Sequence, residues 1–347
     1  MRKDLPYYIP INEIIDFINN TKSKTILLQA PDGLKPLLYN IVEEVKNVLK
    51  DITIYVSGSH AYGACDLAID EAKTIGADVI IHIGHNEYPY LYSKPEIPVL
   101  YIPAYYMGQV PYDLIEELIM MLEKLNARNI GLFASLQYIK LIPIIKQYLQ
   151  KKGFNVLTSR SRRTRYLLEG QILGCDYTAL DYISNDVDTY IILSGGYFHA
   201  LGACLYKPFN ANIILIDPHK ETIESLNGYC KKIIAKRLFI VSKLINSTIN
   251  RVVGITGVRP GQYRPGLLEF IEKKFIEQNI EFFRVISMYL TKESLAAIDH
   301  IFNADAYIVF SCPRLPIDDL TGFYKPVITP GEAFMVLHKS LEYRFPW

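Results

Sequence analysis

The chain predicts an α/β protein of three tandem related domains, each a small parallel four-stranded sheet flanked by helices, in a pseudo-threefold arrangement. Two observations lead there. Three short segments read alike, namely Ala77-Asp78-Val79-Ile80-Ile81-His82, Val187-Asp188-Thr189-Tyr190-Ile191-Ile192 and Ala304-Asp305-Ala306-Tyr307-Ile308-Val309. Self-similarity at a spacing of about 100 residues marks repeated units and has to be read before any local pattern. The apolar runs around these segments are continuous in Ile, Val and Leu, the pattern of strands buried on both faces, as in parallel sheets.

Each repeat can be followed outward from its anchor. The first units, Thr25 to Lys46, Asn129 to Lys152 and Arg251 to Phe275, each pair an apolar run of strand length with a loop and an amphipathic helical stretch. Second strands follow at Ile52 to Ser59, Phe154 to Ser159 and Ile280 to Ser287, the anchors supply the third, and fourth strands lie at Ile97 to Ala104, Ala211 to Pro218 and Pro326 to Pro330. The domain boundaries expected from this count are 1–126, 127–249 and 250–347. Tyr112 to Leu125 is a further amphipathic stretch with an acidic polar face, a packing or linker helix without membrane character.

Composition narrows the class. With 37 Lys and Arg against 36 Asp and Glu, the formal net charge is +1, which argues against nucleic-acid binding through bulk electrostatics. No apolar run approaches the roughly 18 to 20 residues of a membrane span, and Met1-Arg2-Lys3-Asp4-Leu5-Pro6 lacks the apolar region of a secretory signal, so a cytoplasmic protein is expected. Five cysteines without a CxxC pair make a disulfide framework or a local zinc ribbon unexpected.

Three of those cysteines fall one to each repeat. Cys65 and Cys175 both follow a second strand and a nearby glycine, and each precedes its anchor aspartate by thirteen residues; Lys292 stands at the matching place in the third repeat, which supplies Cys312 from the end of its third strand instead. All three sit where strands end, the side on which wound α/β sheets bind ligands. Thiolates converging from three sheets are natural ligands of an iron–sulfur cluster, and three cysteines leave a fourth iron open. The residues after Cys65 and Cys175 read as helix starts, whose positive ends favour a thiolate. The plain alternative is buried filler, which is the reading for Cys204 and Cys230, without counterparts in the other repeats.

Supporting groups follow from placement. Asp32 and Gly33, in the turn Gln29-Ala30-Pro31-Asp32-Gly33, suit either a ligand's ammonium or ribose hydroxyl or a helix N-cap. His82, inside an apolar run, reads as a core histidine, while His85, past the strand, is the candidate for ligand contact; His199 has the related place in the second repeat. Arg314 suits a carboxylate or an interdomain salt bridge. The basic run 159–165 suits an acidic partner surface, the negative charge of a cluster, or solvent. Gly257 to Pro265 carries two arginines, which suit an anion contact, and no Gly-Lys-Ser/Thr ending, so it is not a P-loop. The pairs Tyr7-Tyr8 and Tyr105-Tyr106 suit an interface or ordinary packing.

Eight motifs occur in order: Ala30-Pro31-Asp32-Gly33-Leu34, Tyr62-Gly63-Ala64-Cys65-Asp66, His82-Ile83-Gly84-His85, Gly170-Gln171-Ile172-Leu173-Gly174-Cys175, Gly196-Tyr197-Phe198-His199, Asp217-Pro218, Ser311-Cys312-Pro313-Arg314-Leu315-Pro316-Ile317-Asp318 and Lys325-Pro326-Val327-Ile328-Thr329-Pro330. On these the chain resembles the archaeal 2-(3-amino-3-carboxypropyl)histidine synthase family, which performs the first step of diphthamide biosynthesis. The resemblance implies a homodimeric transferase whose Cys65, Cys175 and Cys312 bind a 4Fe-4S cluster. It further implies S-adenosylmethionine as cosubstrate, reductive release of a 3-amino-3-carboxypropyl radical, a histidine of elongation factor 2 as acceptor, and an unidentified electron donor. Asp32, Gly33, His85 and Arg314 are then candidates for binding S-adenosylmethionine, and His199 is the one catalytic candidate beyond the cluster. The alternatives are a quinolinate-synthase-like enzyme using a 4Fe-4S cluster as Lewis acid, or a non-catalytic small-ligand-binding or assembly protein.

Overall fold

The computed structural model describes residues 6–184, 186–207, 209 and 211–346. Most of the amino-terminal stretch inspected for a secretory signal, residues 1–5, lies outside the described residues. The chain divides into two compact units, one of residues 1–200 and 212–225, the other of residues 201–211 and 226–347.

The first unit contains two parallel sheets. Its opening elements are β1 (Tyr7–Tyr8), α1 (Ile11–Thr21), β2 (Thr25–Gln29), α2 (Leu38–Val48), β3 (Thr53–Val56), α3 (Ile69–Thr74), β4 (Val79–Ile83), β5 (Val99–Ile102), β6 (Tyr105–Tyr106) and α4 (Tyr112–Lys124). The sheet runs β3-β2-β4-β5, every pairing parallel. Helix α2 covers it with Leu38, Ile41 and Val45, spaced to share one face and buried beneath α1. Burying each such side chain contributes about 1.5–3 kcal/mol. The tyrosine pairs have a structural use: β1 and β6 form an antiparallel ribbon in which Tyr7 faces Tyr106 and Tyr8 faces Tyr105.

The second sheet is built from β7 (Asn129–Ala134), α5 (Ile142–Lys151), β8 (Asn155–Leu157), β9 (Thr189–Leu193), α6 (Phe198–Tyr206), β10 (Asn212–Asp217) and β11 (Thr222–Ser225). Its order is β11-β10-β9-β7-β8, parallel except for the added hairpin strand β11.

The second unit holds α7 (Asn227–Ile245), β12 (Arg251–Gly257), α8 (Pro265–Ile276), β13 (Glu281–Ser287), α9 (Lys292–Phe302), β14 (Ala306–Val309), β15 (Val327–Ile328) and α10 (Pro330–Leu337). The sheet order is β13-β12-β14-β15, all parallel. Numbering strands within each repeat, all three sheets share the order second, first, third, fourth.

The anchor aspartates explain why the repeat is visible at all. The Asp78 carboxylate accepts the backbone N–H groups of Lys24 and Thr25 at 2.7 and 2.8 Å, and Asp305 does the same for Asn250 and Arg251 at 2.8 and 2.9 Å. Each pins the third strand to the start of the first and fixes their register. Asp188 departs from this pattern, accepting instead from the hydroxyl of Thr189 at 2.7 Å.

One expectation about cysteine needs correction. Cys204 on α6 and Cys230 on α7 form a disulfide within the second unit, so they are a bonded pair and not independent filler. Their 26-residue separation carries no hint of this, because proximity is set by where two helices meet.

Candidate functional site

Cys65, Cys175 and Cys312 all lie in loops at the carboxyl ends of strands and are partly buried. Cys65 and Cys175 belong to the first unit and Cys312 to the second. No helix begins at either of the first two: α3 starts four residues after Cys65, and only a four-residue 3-10 turn, Thr178–Asp181, follows Cys175. The expected dipole support is therefore absent at these two positions. The loops are closed by side chains instead. Asp176 Oδ1 accepts both the backbone N–H and the hydroxyl of Thr178 at 2.8 and 2.7 Å, and the amide nitrogen of Gln29 donates to the Asp66 carbonyl at 2.8 Å.

The loop leaving β4 serves both cysteines. Gly84, at φ +98°, turns the chain where a Cβ would stand 2.7 Å from Leu34, so glycine is required twice over. His85 follows, with Nε2 in the neighbourhood of Cys65: a Cβ placed on Gly63 would stand 3.7 Å from Cys65 Sγ and 3.9 Å from His85 Nε2. Three residues on, the Tyr88 hydroxyl lies 3.4 Å from Cys175 Sγ, and Tyr90 donates a short hydrogen bond to the Asp176 carboxylate. Burial, that carboxylate and the neighbouring Cys175 push the Tyr90 phenol upward, so it remains a donor. Burial, then Glu87 and Cys65, push Tyr101 upward similarly. Between these points Asn86 and Gln171 exchange reciprocal amide hydrogen bonds of 3.0 and 3.1 Å, clasping the first sheet's loop to the second repeat.

His82, wholly buried, bonds Gln29 Oε1 through Nδ1 at 3.0 Å and His85 Nδ1 through Nε2 at 2.9 Å. Desolvation, with the adjacent His85, holds His82 well below the ordinary imidazole range, and desolvation lowers His85 to about 4. Both rings are neutral at physiological pH.

Asp32 does not cap a helix. It pairs with Lys35 at 2.7 Å and with His60 Nδ1 through a short contact, and these partners hold its carboxyl below the usual range. Gly33 has no heavy atom within 4 Å of a would-be Cβ, so the backbone there is open to a ligand. Arg314 is almost wholly buried and makes a salt bridge with Asp318, four residues on, through Nε and Nη2 at 2.8 and 3.2 Å. The segment between them is held from behind by Arg237, whose guanidinium donates to the Pro316 carbonyl at 3.0 Å and grips the buried Glu332 carboxylate. His199 sits in the first turn of α6, edge-on to Phe198 with ring centroids 5.2 Å apart. The basic run lines a cavity of about 490 Å³ with Arg160, Arg162 and Arg165, Arg162 stacking over Tyr182.

Tyr88, Tyr90, Asn86 and Gln29 escaped selection from the sequence. Among 26 tyrosines nothing local marks two in a proline-containing loop, and their relevance comes only from the return of that loop onto the second repeat.

Each of the three cysteines is a partly buried thiol, a residue chemistry that suits an iron–sulfur ligand, and a phenol hydroxyl contacts the sulfur of Cys175, the kind of outer contact that tunes a ligating sulfur. Among the described residues no group of three or more His, Cys, Asp or Glu side chains is set to hold a single metal ion. In a cluster each cysteine binds a different iron, so its ligands need not surround one ion. Likewise, no helix of the described residues is long and apolar enough to cross a membrane.

The family model described as "Putative diphthamide synthesis protein" matches residues 30–346. The chain is 29% identical to the 2-(3-amino-3-carboxypropyl)histidine synthase of Pyrococcus horikoshii, over 97% of this chain and 92% of that protein. It is 25% identical to subunit 1 of the corresponding human synthase, covering 98% of this chain and 74% of the relative. The crystal structure of Dph2 from Pyrococcus horikoshii with a 4Fe-4S cluster superposes with a TM-score of 0.82 at 27% identity, over 97% of this chain and 93% of that one. With the match running from the Pro31-Asp32 turn to the end of the third sheet's last helix and beyond, the chain belongs to the diphthamide synthesis protein family.

Proposed function

We propose that this chain transfers the 3-amino-3-carboxypropyl group of S-adenosylmethionine to a histidine of elongation factor 2, the first step of diphthamide biosynthesis. Cys65, Cys175 and Cys312, one from each of three α/β domains spanning 1–126, 127–249 and 250–347, hold the 4Fe-4S cluster. When bound, that cluster supplies the low-potential electron that cleaves a sulfonium C–S bond. The observation that carries the reading is the family match over 317 residues, within which all three cysteines and the β4 loop serving two of them fall.

The chain's own residues have the remaining tasks. Which of three C–S bonds breaks depends on orientation, and well-placed binding groups supply several kcal/mol of such discrimination. Asp32, exposed beside Gly33 and kept ionised by Lys35 and His60, is suited to ribose hydroxyls or a cationic group. Arg314 is committed to Asp318 and suits a carboxylate only by sharing its guanidinium. Tyr88 meets the sulfur of Cys175 with a hydroxyl, and its ring packs edge to face with that of Tyr90 at 5.7 Å, which fixes the direction of that hydroxyl. We read the functional form as a homodimer located in the cytoplasm and supplied by a separate electron donor.

The test is anaerobic reconstitution with iron and sulfide, followed by incubation with S-adenosylmethionine, dithionite and elongation factor 2. Release of methylthioadenosine together with a mass gain on elongation factor 2 is expected for the wild type and neither for Cys65→Ala. A Lewis-acid enzyme gives no methylthioadenosine, and a binding protein isolated colourless and iron-free under the same conditions overturns the reading.

A further inference from the structure

We propose that the arginine-lined cavity of the second repeat is a binding site for a small anion bearing a diphosphate group, either free or carried on a nucleotide. The reaction proposed above has no phosphate among its reactants, so this site stands apart from it. The cavity encloses about 490 Å³, within the range of small-molecule sites. Arg160, Arg162 and Arg165 line it and are all exposed. Among the described residues none of these three forms an ion pair, unlike Arg237, Arg251, Arg284 and Arg314. Glu87 acts on Arg165 through space without pairing with it.

A basic run left to solvent is the plain alternative, and the hydrogen bonds that hold this segment oppose it. The Ser159 hydroxyl donates a short bond to the Ala179 carbonyl, and the buried Ser161 hydroxyl meets that of Thr178 at 2.7 Å. Further along, the Tyr166 carbonyl accepts from the Asn86 amide at 2.9 Å, and the N–H of Gly170 donates to the Ser159 carbonyl at 2.7 Å. Arg160 Nη2 donates to the Arg165 carbonyl, closing the loop on itself. Little ordering is therefore left for a ligand to impose. Arg162 stacks over Tyr182 with Cζ 4.8 Å from the ring centroid, which holds the plane of its fork. Thr164 Oγ1 accepts the N–H of Tyr166 at 3.1 Å, so its own hydrogen is left for an acceptor in the cavity.

Guanidinium forks and a hydroxyl donor select an anion with paired oxygens. A guanidinium has five N–H donors, and Arg160 uses one of them within the loop. Carboxylate and phosphate both offer paired oxygens, and charge separates them. Each phosphate group brings a charge of about −1.5 to −2, so two of them balance three guanidiniums. Carboxylates match that charge only as three separate groups, and on an acidic peptide each has its own side-chain entropy to lose.

The test is isothermal titration calorimetry on the anaerobic, reconstituted protein with magnesium-free ADP, inorganic pyrophosphate, inorganic phosphate and a tri-glutamate peptide. ADP and pyrophosphate are expected to bind one per chain, about tenfold or more tighter than phosphate or the peptide, and to weaken as salt rises. ADP binding tighter than pyrophosphate assigns the site to a nucleotide, and equal affinity assigns it to the diphosphate alone; both support the proposal. Arg162→Gln is expected to weaken both probes about tenfold, the effect of losing one hydrogen bond to a charged group, and, the residue being exposed, to leave the melting temperature unchanged. Amide hydrogen exchange of the iron-free full-length chain, where no iron competes for the phosphates, is expected to show ADP protecting residues 159–167. No binding of either probe at about 1 mM, tighter binding of the peptide, unchanged affinity in Arg162→Gln, or protection confined to other segments overturns the proposal.

Discussion

Alanine at Gly63 and alanine at Gly174 place the same methyl group before two related cysteines, and the structure assigns them opposite consequences. At Gly63 the new Cβ meets Cys65 Sγ at 3.7 Å and His85 Nε2 at 3.9 Å, ordinary van der Waals contacts, and the backbone is not left-handed. Folding stability should change by no more than about 0.5 kcal/mol, the usual range for a substitution without a buried clash. The methyl group does, however, fill the space shared by the sulfur and the imidazole, so ligand binding beside Cys65 should weaken. At Gly174 the Cβ falls 2.0 Å from the ring of Phe198, an exposed side chain that must swing out of its rotamer to make room, at a cost of about 0.5–1.5 kcal/mol. The assay is thermal denaturation of the iron-free protein alongside dialysis of S-adenosylmethionine against the reconstituted one. A Gly63→Ala protein that melts as low as Gly174→Ala, or that binds S-adenosylmethionine as the wild type does, would refute the reasoning.

Three further outcomes follow from particular contacts. Asp78→Ala and Asp305→Ala each remove a carboxylate accepting two backbone N–H groups and should destabilise by about 1–2 kcal/mol, since water reaches part of each site, whereas Asp188→Ala should cost less; urea titration followed by hydrogen exchange in β2, β12 and β7 reads the difference. Arg237→Met strands the buried Glu332 carboxylate and should cost about 3–5 kcal/mol, seen as lost exchange protection in β15, with part recovered when Glu332→Gln is added. Because His82 and His85 are held below the unfolded imidazole value, their contribution to stability is complete above about pH 6.5 and declines as pH falls toward 4. For the iron-free protein that decline should be on the order of 2 kcal/mol, His85 being partly exposed, and His85→Gln should flatten the curve.

The strands were legible because burial on both faces writes continuous apolar runs, and β2, β4, β7, β9, β12 and β14 lie where those runs lie. The recurring aspartate was legible as a repeat but not as a device: nothing in Ala77-Asp78 says that its carboxylate caps the start of another strand. Local reading failed where a short turn imitates a helix start, as after Cys65 and Cys175, because side-chain capping by Asp176 and Gln29 replaces the helical N-terminus. Tyr7-Tyr8 and Tyr105-Tyr106 read only as interface or packing residues, not as partners of each other, because a two-residue ribbon between segments almost 100 residues apart has no periodic signature. For the site, position within the repeat singled out three cysteines that the structure places, partly buried, in loops at strand ends, and it separated His82 in the core from His85 at its edge. The hydrogen bonds joining them to Gln29 depend on two neighbouring strands, β2 and β4, paired Gln29 to His82, which spacing alone does not encode.

The most direct test of the central claim is iron and sulfide content after anaerobic reconstitution of the wild type and of five single Cys→Ser variants. The account predicts about four of each per chain for the wild type, as the cluster type requires, and for Cys204→Ser and Cys230→Ser. It predicts loss of the intact cluster for Cys65→Ser, Cys175→Ser and Cys312→Ser. Full retention in any of those three variants, Cys312→Ser above all, would contradict it.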